Sequence, residues 1–151
     1  MGGNTRLAGE RFSPDEELRA FSDGTNGAGA VASFTGIARS TSKRGEAVAG
    51  LFLDHHERLT LASMETIGAS AFARFEVTHW RIVHRCGYVA AGEPIVFVSA
   101  ASAHRRAALE AVDYMMDRLK TDAMFWKRED AASGPQWIEP TAEDYAARDK
   151  W

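Results

Sequence analysis

The sequence predicts an α+β fold with an antiparallel sheet and two long helices. Two stretches, 57–75 and 103–119, carry apolar residues at spacings of three and four, the stripe of an amphipathic helix. Around them lie short runs rich in β-branched and aromatic residues. Turns containing Gly or Pro, such as Gly92-Glu93-Pro94 and Ser133-Gly134-Pro135, join those runs as hairpins.

The elements follow in chain order. Ser13-Pro14-Asp15-Glu16 is a helix start: Ser13 caps, Pro14 fits the first helical position and Glu16 completes a capping box. That helix runs to about residue 21 and ends in the glycine-containing loop 24–29. Residues 30–37 form a strand, 39–46 a polar loop and 48–55 a second strand. Helix 57–75 buries Leu61, Met64, Ile67, Ala71 and Phe75. Strands 77–83 and 95–100 follow, joined through Gly87 and the 92–94 turn. Helix 103–119 buries Ala108, Val112, Met115 and Leu119. Short strands at 125–129 and 136–138 and a last helix at 141–148 complete the chain.

The 151 residues suit a single domain, 1–151, with a core of its own; the Gly-rich, polar residues 1–12 are expected to be flexible. With 18 Lys+Arg against 21 Asp+Glu, the net charge of −3 argues against a surface built to hold nucleic acid. The longest apolar runs, such as residues 95–98, fall far short of the ~20 residues of a membrane span. No apolar signal region opens the chain, so a cytoplasmic location is expected. The single cysteine, Cys86, excludes an internal disulfide and a Cys-based zinc cluster, and packing is its expected role. Adjacent His55 and His56 point to opposite faces of a strand, and His79 and His84 also diverge, so no metal site is expected.

Three segments could carry chemistry. Ser102-Ala103-His104-Arg105-Arg106 opens a long helix, where free backbone N–H groups, the helix dipole and two arginines favour an anion; the alternative is a solvated helix start. Two of the four lysines, Lys120 and Lys127, flank the end of that helix and the strand after it. Lysine, unlike arginine, has a pKa that burial can move into a useful range. In an extended strand Lys127 points away from Trp126 and Arg128, so either Trp126 is core while Lys127 faces a cleft, or the reverse. Phe34-Thr35-Gly36-Ile37-Ala38-Arg39 runs off a strand into the polar loop, with Arg39 able to fork onto phosphate or carboxylate.

Taken in order, these segments resemble the large, catalytic subunit of molybdopterin synthase. The resemblance rests on Phe34-Thr35-Gly36-Ile37-Ala38-Arg39, Leu53-Asp54-His55-His56, His84-Arg85-Cys86-Gly87, Gly92-Glu93, Ser102-Ala103-His104-Arg105, and Leu119-Lys120 followed by Phe125-Trp126-Lys127-Arg128-Glu129. It implies an α/β-hammerhead-type domain, a homodimer, and a small ubiquitin-like sulfur-carrier subunit on each protomer, giving a heterotetramer. The implied reaction converts cyclic pyranopterin monophosphate into molybdopterin, with both sulfurs arriving as the carrier's C-terminal thiocarboxylate and no cofactor on the large subunit. By motif match Lys120 and Lys127 are catalytic. Arg39, His104 and Arg105 line the substrate pocket, and Ile37, Ala38, Arg128 and Glu129 fall in segments around it. Four features depart from the family pattern: Ile37 replaces a basic residue of some relatives, Met124 a common proline, His56-Glu57-Arg58 the usual start of the long helix, and Cys86 an aliphatic residue.

Two anionic reactants require a cationic pocket, even on an acidic chain. His104 and Lys120 lie sixteen residues apart on one predicted helix, hence ~24 Å at 1.5 Å per residue. A pterin cannot bridge that, so a shared site requires two copies of the chain. The alternative function is a non-catalytic module that binds a ubiquitin-like tail. A phosphate-recognising hydrolase lacks an identifiable base or metal, and RNA binding lacks a stacking motif.

Overall fold

The computed structural model describes residues 2–151. In chain order the elements are β1 (Gly2–Ala8), α1 (Pro14–Asp23), β2 (Ala30–Ile37), β3 (Val48–His55), α2 (Glu57–Arg74), β4 (His79–Arg85), β5 (Gly87–Ala90), β6 (Pro94–Ser102), α3 (Arg105–Asp122), β7 (Phe125–Ala131), β8 (Gly134–Ile138) and α4 (Ala142–Asp149). The strands form two four-stranded sheets, ordered β1-β4-β6-β2 and β5-β3-β7-β8.

The α+β class holds, with one correction to the antiparallel sheet: β1 runs parallel to β4. Residues 2–8, expected to be flexible, are that strand, paired from Gly2↔His79 to Ala8↔Arg85. Ladder hydrogen bonds come from the backbone, so a Gly-rich polar segment can complete a sheet with no apolar pattern in its sequence. Strand β5 has four residues and lies within the predicted turn region. Strand β4 is displaced from the predicted 77–83 and ends on two buried polar residues, His84 and Arg85.

The two long helices cover the first sheet. Met64, Ile67 and Ala71 of α2 and Ala111, Val112, Met115 and Leu119 of α3 meet Trp80, Ile82, Val96, Val98 and Ala100 in one core. Gly68 is needed there: a Cβ on it would lie 2.1 Å from the Trp80 ring. A smaller core of Ala38, Leu53 and Val89 lies on one face of the second sheet, with Leu51, Ile95 and Phe125 against it. Cys86 is a buried free thiol whose pKa is raised by burial, in keeping with a packing role.

The predicted Ser13 cap forms, with Ser13 Oγ accepting from Glu16 N at 3.3 Å, but the Glu16 side chain does not return the bond of a capping box. His56 Nδ1 accepts from Leu59 N at 3.3 Å, so His56-Glu57-Arg58 starts α2 by a side-chain cap that the sequence did not announce. Helix α4 carries a complete capping box between Thr141 and Asp144. Behind it the chain end packs: Trp151 meets Phe75 and Tyr114 edge to face, each at 5.7 Å, and its Nε1 donates to Asp117 at 2.6 Å.

Candidate active site

Strand β2 bends between Gly36 and Ile37, where its register against β6 shifts. Beyond the bend the turn before β6 clamps Ala38: its N–H donates to Glu93 O at 2.9 Å and its C=O accepts from Gly92 N at 2.8 Å. Ala38 is thereby buried, while Ile37 and Arg39 on either side are exposed. The loop from Arg39 closes through the bridge Thr41↔Ala47 and Ser40 O accepting from Val48 N at 2.9 Å.

Lys120 lies in the last turn of α3, exposed, where a cation complements the helix dipole. The junction to β7 is pinned by hydroxyls of α2. Thr60 Oγ1 donates to Met124 O at 2.7 Å, and Met124 N donates to Ser63 Oγ at 3.2 Å. Those bonds hold the junction at Met124. They also set β7 so that Trp126 faces solvent at 49% exposure while Lys127 is half-buried. Of the two orientations open at the sequence level, Lys127 in the cleft is the one found.

Burial, and then the nearby charges of Lys120 and Arg39, lower the pKa of Lys127 to about 8; Asp144 of α4 acts in the opposite sense. Asp144 is held as a carboxylate by accepting from Thr141 N at 2.8 Å, and it also feels Lys120 and Lys43. Arg39, Lys43, Lys120, Lys127 and Asp144 therefore form one electrostatic group, drawn from a loop, α3, β7 and α4. Glu129, two residues beyond Lys127, shares its face of β7. Arg128 does not join them: its guanidinium lies over the Phe52 ring at 5.0 Å and pairs with Asp130 at 3.4 Å.

The other predicted cluster forms elsewhere. His104 is the N-cap of α3 but makes no side-chain cap bond; just before the helix its own N–H donates to Ser102 Oγ at 3.2 Å. Gly29, Ala103, His104, Arg105 and Arg106 line a shallow pocket of about 450 Å³. Gly29 is required, since a Cβ there would lie 2.2 Å from Ala103 O. Arg106 pairs loosely with Glu110 at 3.8 Å, and Arg105 has no carboxylate partner among the described residues. Helix α3 lies between this pocket and Lys120, so the rise of sixteen residues keeps them ~24 Å apart within one copy.

Sequence reasoning missed Thr60, Ser63 and Asp144. Thr60 and Ser63 sit on a helix whose apolar stripe gives no sign of their role. Asp144 was readable only as a helix-start acid. Among the described residues no group of three His, Cys, Asp or Glu side chains is placed to hold a metal ion, and no helix is long and apolar enough to cross a membrane.

The family described as MoaE protein matches residues 7–122. The chain belongs to this family. It is 46% identical over 145 residues to the molybdopterin synthase catalytic subunit of Caulobacter vibrioides, covering 96% of this chain and 95% of that one. Its fold matches the molybdopterin biosynthesis MoaE protein of Burkholderia ambifaria with a TM-score of 0.83 at 32% identity, over 99% and 97% of the two chains. A complex of subunits 1 and 2 of molybdopterin-converting factor from Helicobacter pylori shares the fold, with a TM-score of 0.74 at 21% identity over 89% of each chain. The family match ends at Asp122, so Lys127 and α4 lie beyond it, although the Caulobacter and Burkholderia alignments span nearly the whole chain.

Proposed function

We propose that this chain is the catalytic subunit of a molybdopterin synthase, a sulfurtransferase that converts cyclic pyranopterin monophosphate into molybdopterin. Sulfur comes from the C-terminal thiocarboxylate of a small ubiquitin-like carrier. Family membership supports the reaction class, and the two-subunit Helicobacter complex supports a small-subunit partner. The observation that carries the reading within this chain is the desolvated Lys127 amine, its pKa brought to about 8 beside Lys120 and Arg39.

An anionic thiocarboxylate and an anionic cyclic phosphate repel each other in water, and fixed cations offset that repulsion. Lys120, exposed at the end of α3, meets the carrier tail and stabilises the oxyanion of its tetrahedral adduct. The thiocarboxylate sulfur forms the pterin C–S bond as the substrate C–O bond breaks and the oxygen leaves protonated. Water then adds to the resulting thioester, giving that adduct, and its collapse breaks the acyl C–S bond. The sulfur is left on the pterin and an ordinary carboxylate on the carrier. Lys127, which holds both protonated and neutral forms near pH 8, supplies and takes up the proton as the substrate oxygen departs. Arg39 takes the phosphate, with Ile37, Ala38 and Glu129 along the cleft.

His104 and Arg105 complete the pocket from a second copy of the chain, because α3 separates them from Lys120 in the first. A homodimer carrying two carriers, a heterotetramer, is the assembly that follows. The test is incubation with thiocarboxylated carrier and the cyclic precursor, following the dithiolene product. Product formed by the parent chain and lost in Lys127→Ala supports the reading. Tight carrier binding with no product from the parent chain overturns it in favour of a docking module.

A further inference from the structure

Behind Lys127 lies a buried histidine that the reaction as described does not use. His84 is next to last in β4, 5% exposed, paired with Leu7 on one side and Val96 on the other. Its ring stacks on Phe125 of β7, centroids 4.0 Å apart and planes 23° apart, so it ties the first sheet to the second. Phe125 and Lys127 are two apart on β7 and share a face. The ring is therefore seated on the strand face that carries the Lys127 amine.

The tautomer follows from one contact. Nδ1 lies 2.8 Å from the backbone carbonyl oxygen of Arg85, which can only accept, so Nδ1 holds the proton. Nε2 of the neutral ring is then a bare acceptor. It has no hydrogen-bond partner among the described residues, yet it is not one of the sealed, orphaned polar atoms, which belong to Thr5, Arg85 and Ser99. The side-chain charges that act on the ring are those of Lys127 on β7 and Lys120 on α3, both opposing a positive imidazole.

We infer that His84 is a positioning residue: its Nε2 accepts, through one bridging water, a hydrogen bond that the Lys127 ammonium or amine shares. That bond turns the remaining Nζ valences toward the cleft. Burial and the two lysines hold the imidazole pKa down at about 3, so the ring stays an acceptor throughout the working range and never competes for the proton. The catalytic consequence rests on the role proposed above for Lys127; the hydrogen bond itself does not.

The first arm of the test therefore needs no substrate. In protein labelled with 15N-histidine, long-range proton–nitrogen spectra are expected to show His84 neutral and protonated at Nδ1 from pH 5.5 to 9. Its Nε2 resonance should move downfield when Lys127→Met removes the donor. A ring protonated at Nε2, a ring that titrates in this range, or an Nε2 shift indifferent to Lys127→Met overturns the inference. The second arm compares His84→Asn, which retains a donor near Nδ1, with His84→Gln, which retains an acceptor near Nε2. We expect Asn to lower kcat about tenfold with KM little changed, and Gln to restore most of it. Equal losses in the two variants, or a loss confined to KM, would show a purely structural ring. Lack of activity in the parent chain alongside the expected spectra would count against the proposed function and leave the hydrogen bond standing.

Discussion

The two ends of α3 collect cations in different ways. At its start His104, Arg105 and Arg106 are exposed around a shallow pocket, held only by the turn geometry of a helix N-terminus. At its end Lys120 stands before a half-buried Lys127 whose pKa has fallen to about 8. Arginines in water remain charged at any working pH and can bind an anion without reacting with it. A desolvated lysine exchanges its proton near neutrality and can take part in chemistry. One end is thus equipped for binding and the other for proton transfer, with the length of a rigid helix between them.

The sharpest way to break this contrast is to remove each end in turn. Lys127→Ala should lower the single-turnover rate of dithiolene formation by about 10³-fold. In the parent, the rate should depend on a group titrating near pH 8. A flat profile from pH 6 to 9 would remove the acid–base role. Arg105→Ala should act differently, raising KM about tenfold and weakening its salt dependence, with kcat and the pH profile nearly unchanged.

Mixing the two defects tests whether the ends meet across copies. With substrate well below KM, where Arg105→Ala dimers alone run about tenfold slow, Arg105→Ala and Lys120→Ala chains exchanged at equal ratio should reach about a quarter of the parent rate, since half the dimers are mixed and each regains one intact site. No recovery in demonstrated mixed dimers sinks the shared pocket.

The smallest effect concerns stability. Lys127 binds its proton less tightly folded than unfolded, so its charge destabilises the fold below pH 8, and that penalty fades as pH rises from about 8 to the ordinary lysine value. Lys127→Met should therefore raise stability at pH 7, by about 1–2 kcal/mol, and by less at pH 10. Thermal melts at the two pH values check it. Equal shifts would mean that the amine is not desolvated.

Much of the architecture was legible in the residues because it rests on local rules. Strands 30–37 and 48–55 match β2 and β3 because alternating and β-branched side chains fit a pleated sheet. Ser13-Pro14 and Thr141 mark helix starts because their caps bond within three residues. Strand β1 was not legible, because its pairing with β4 uses backbone groups that every residue has. Nor was β5, only four residues long beside a glycine of positive φ. Among the site residues, Lys120, Lys127, Arg39, His104 and Arg105 were named from motifs. Arg128 was named with them, yet it lies over Phe52 because neighbours in a strand face opposite ways.

The sequence by itself determined the helices, most strands, the cation-rich segments and the distance between the two ends of α3. All of these depend on periodicity, capping and the fixed rise of a helix. Only the tertiary structure decided which face of β7 is shielded from water, that α4 brings Asp144 to the lysines, and that a neutral histidine lies against Phe125. A side chain's proton affinity depends on how much solvent and which charges surround it, and those neighbours come from distant parts of the chain.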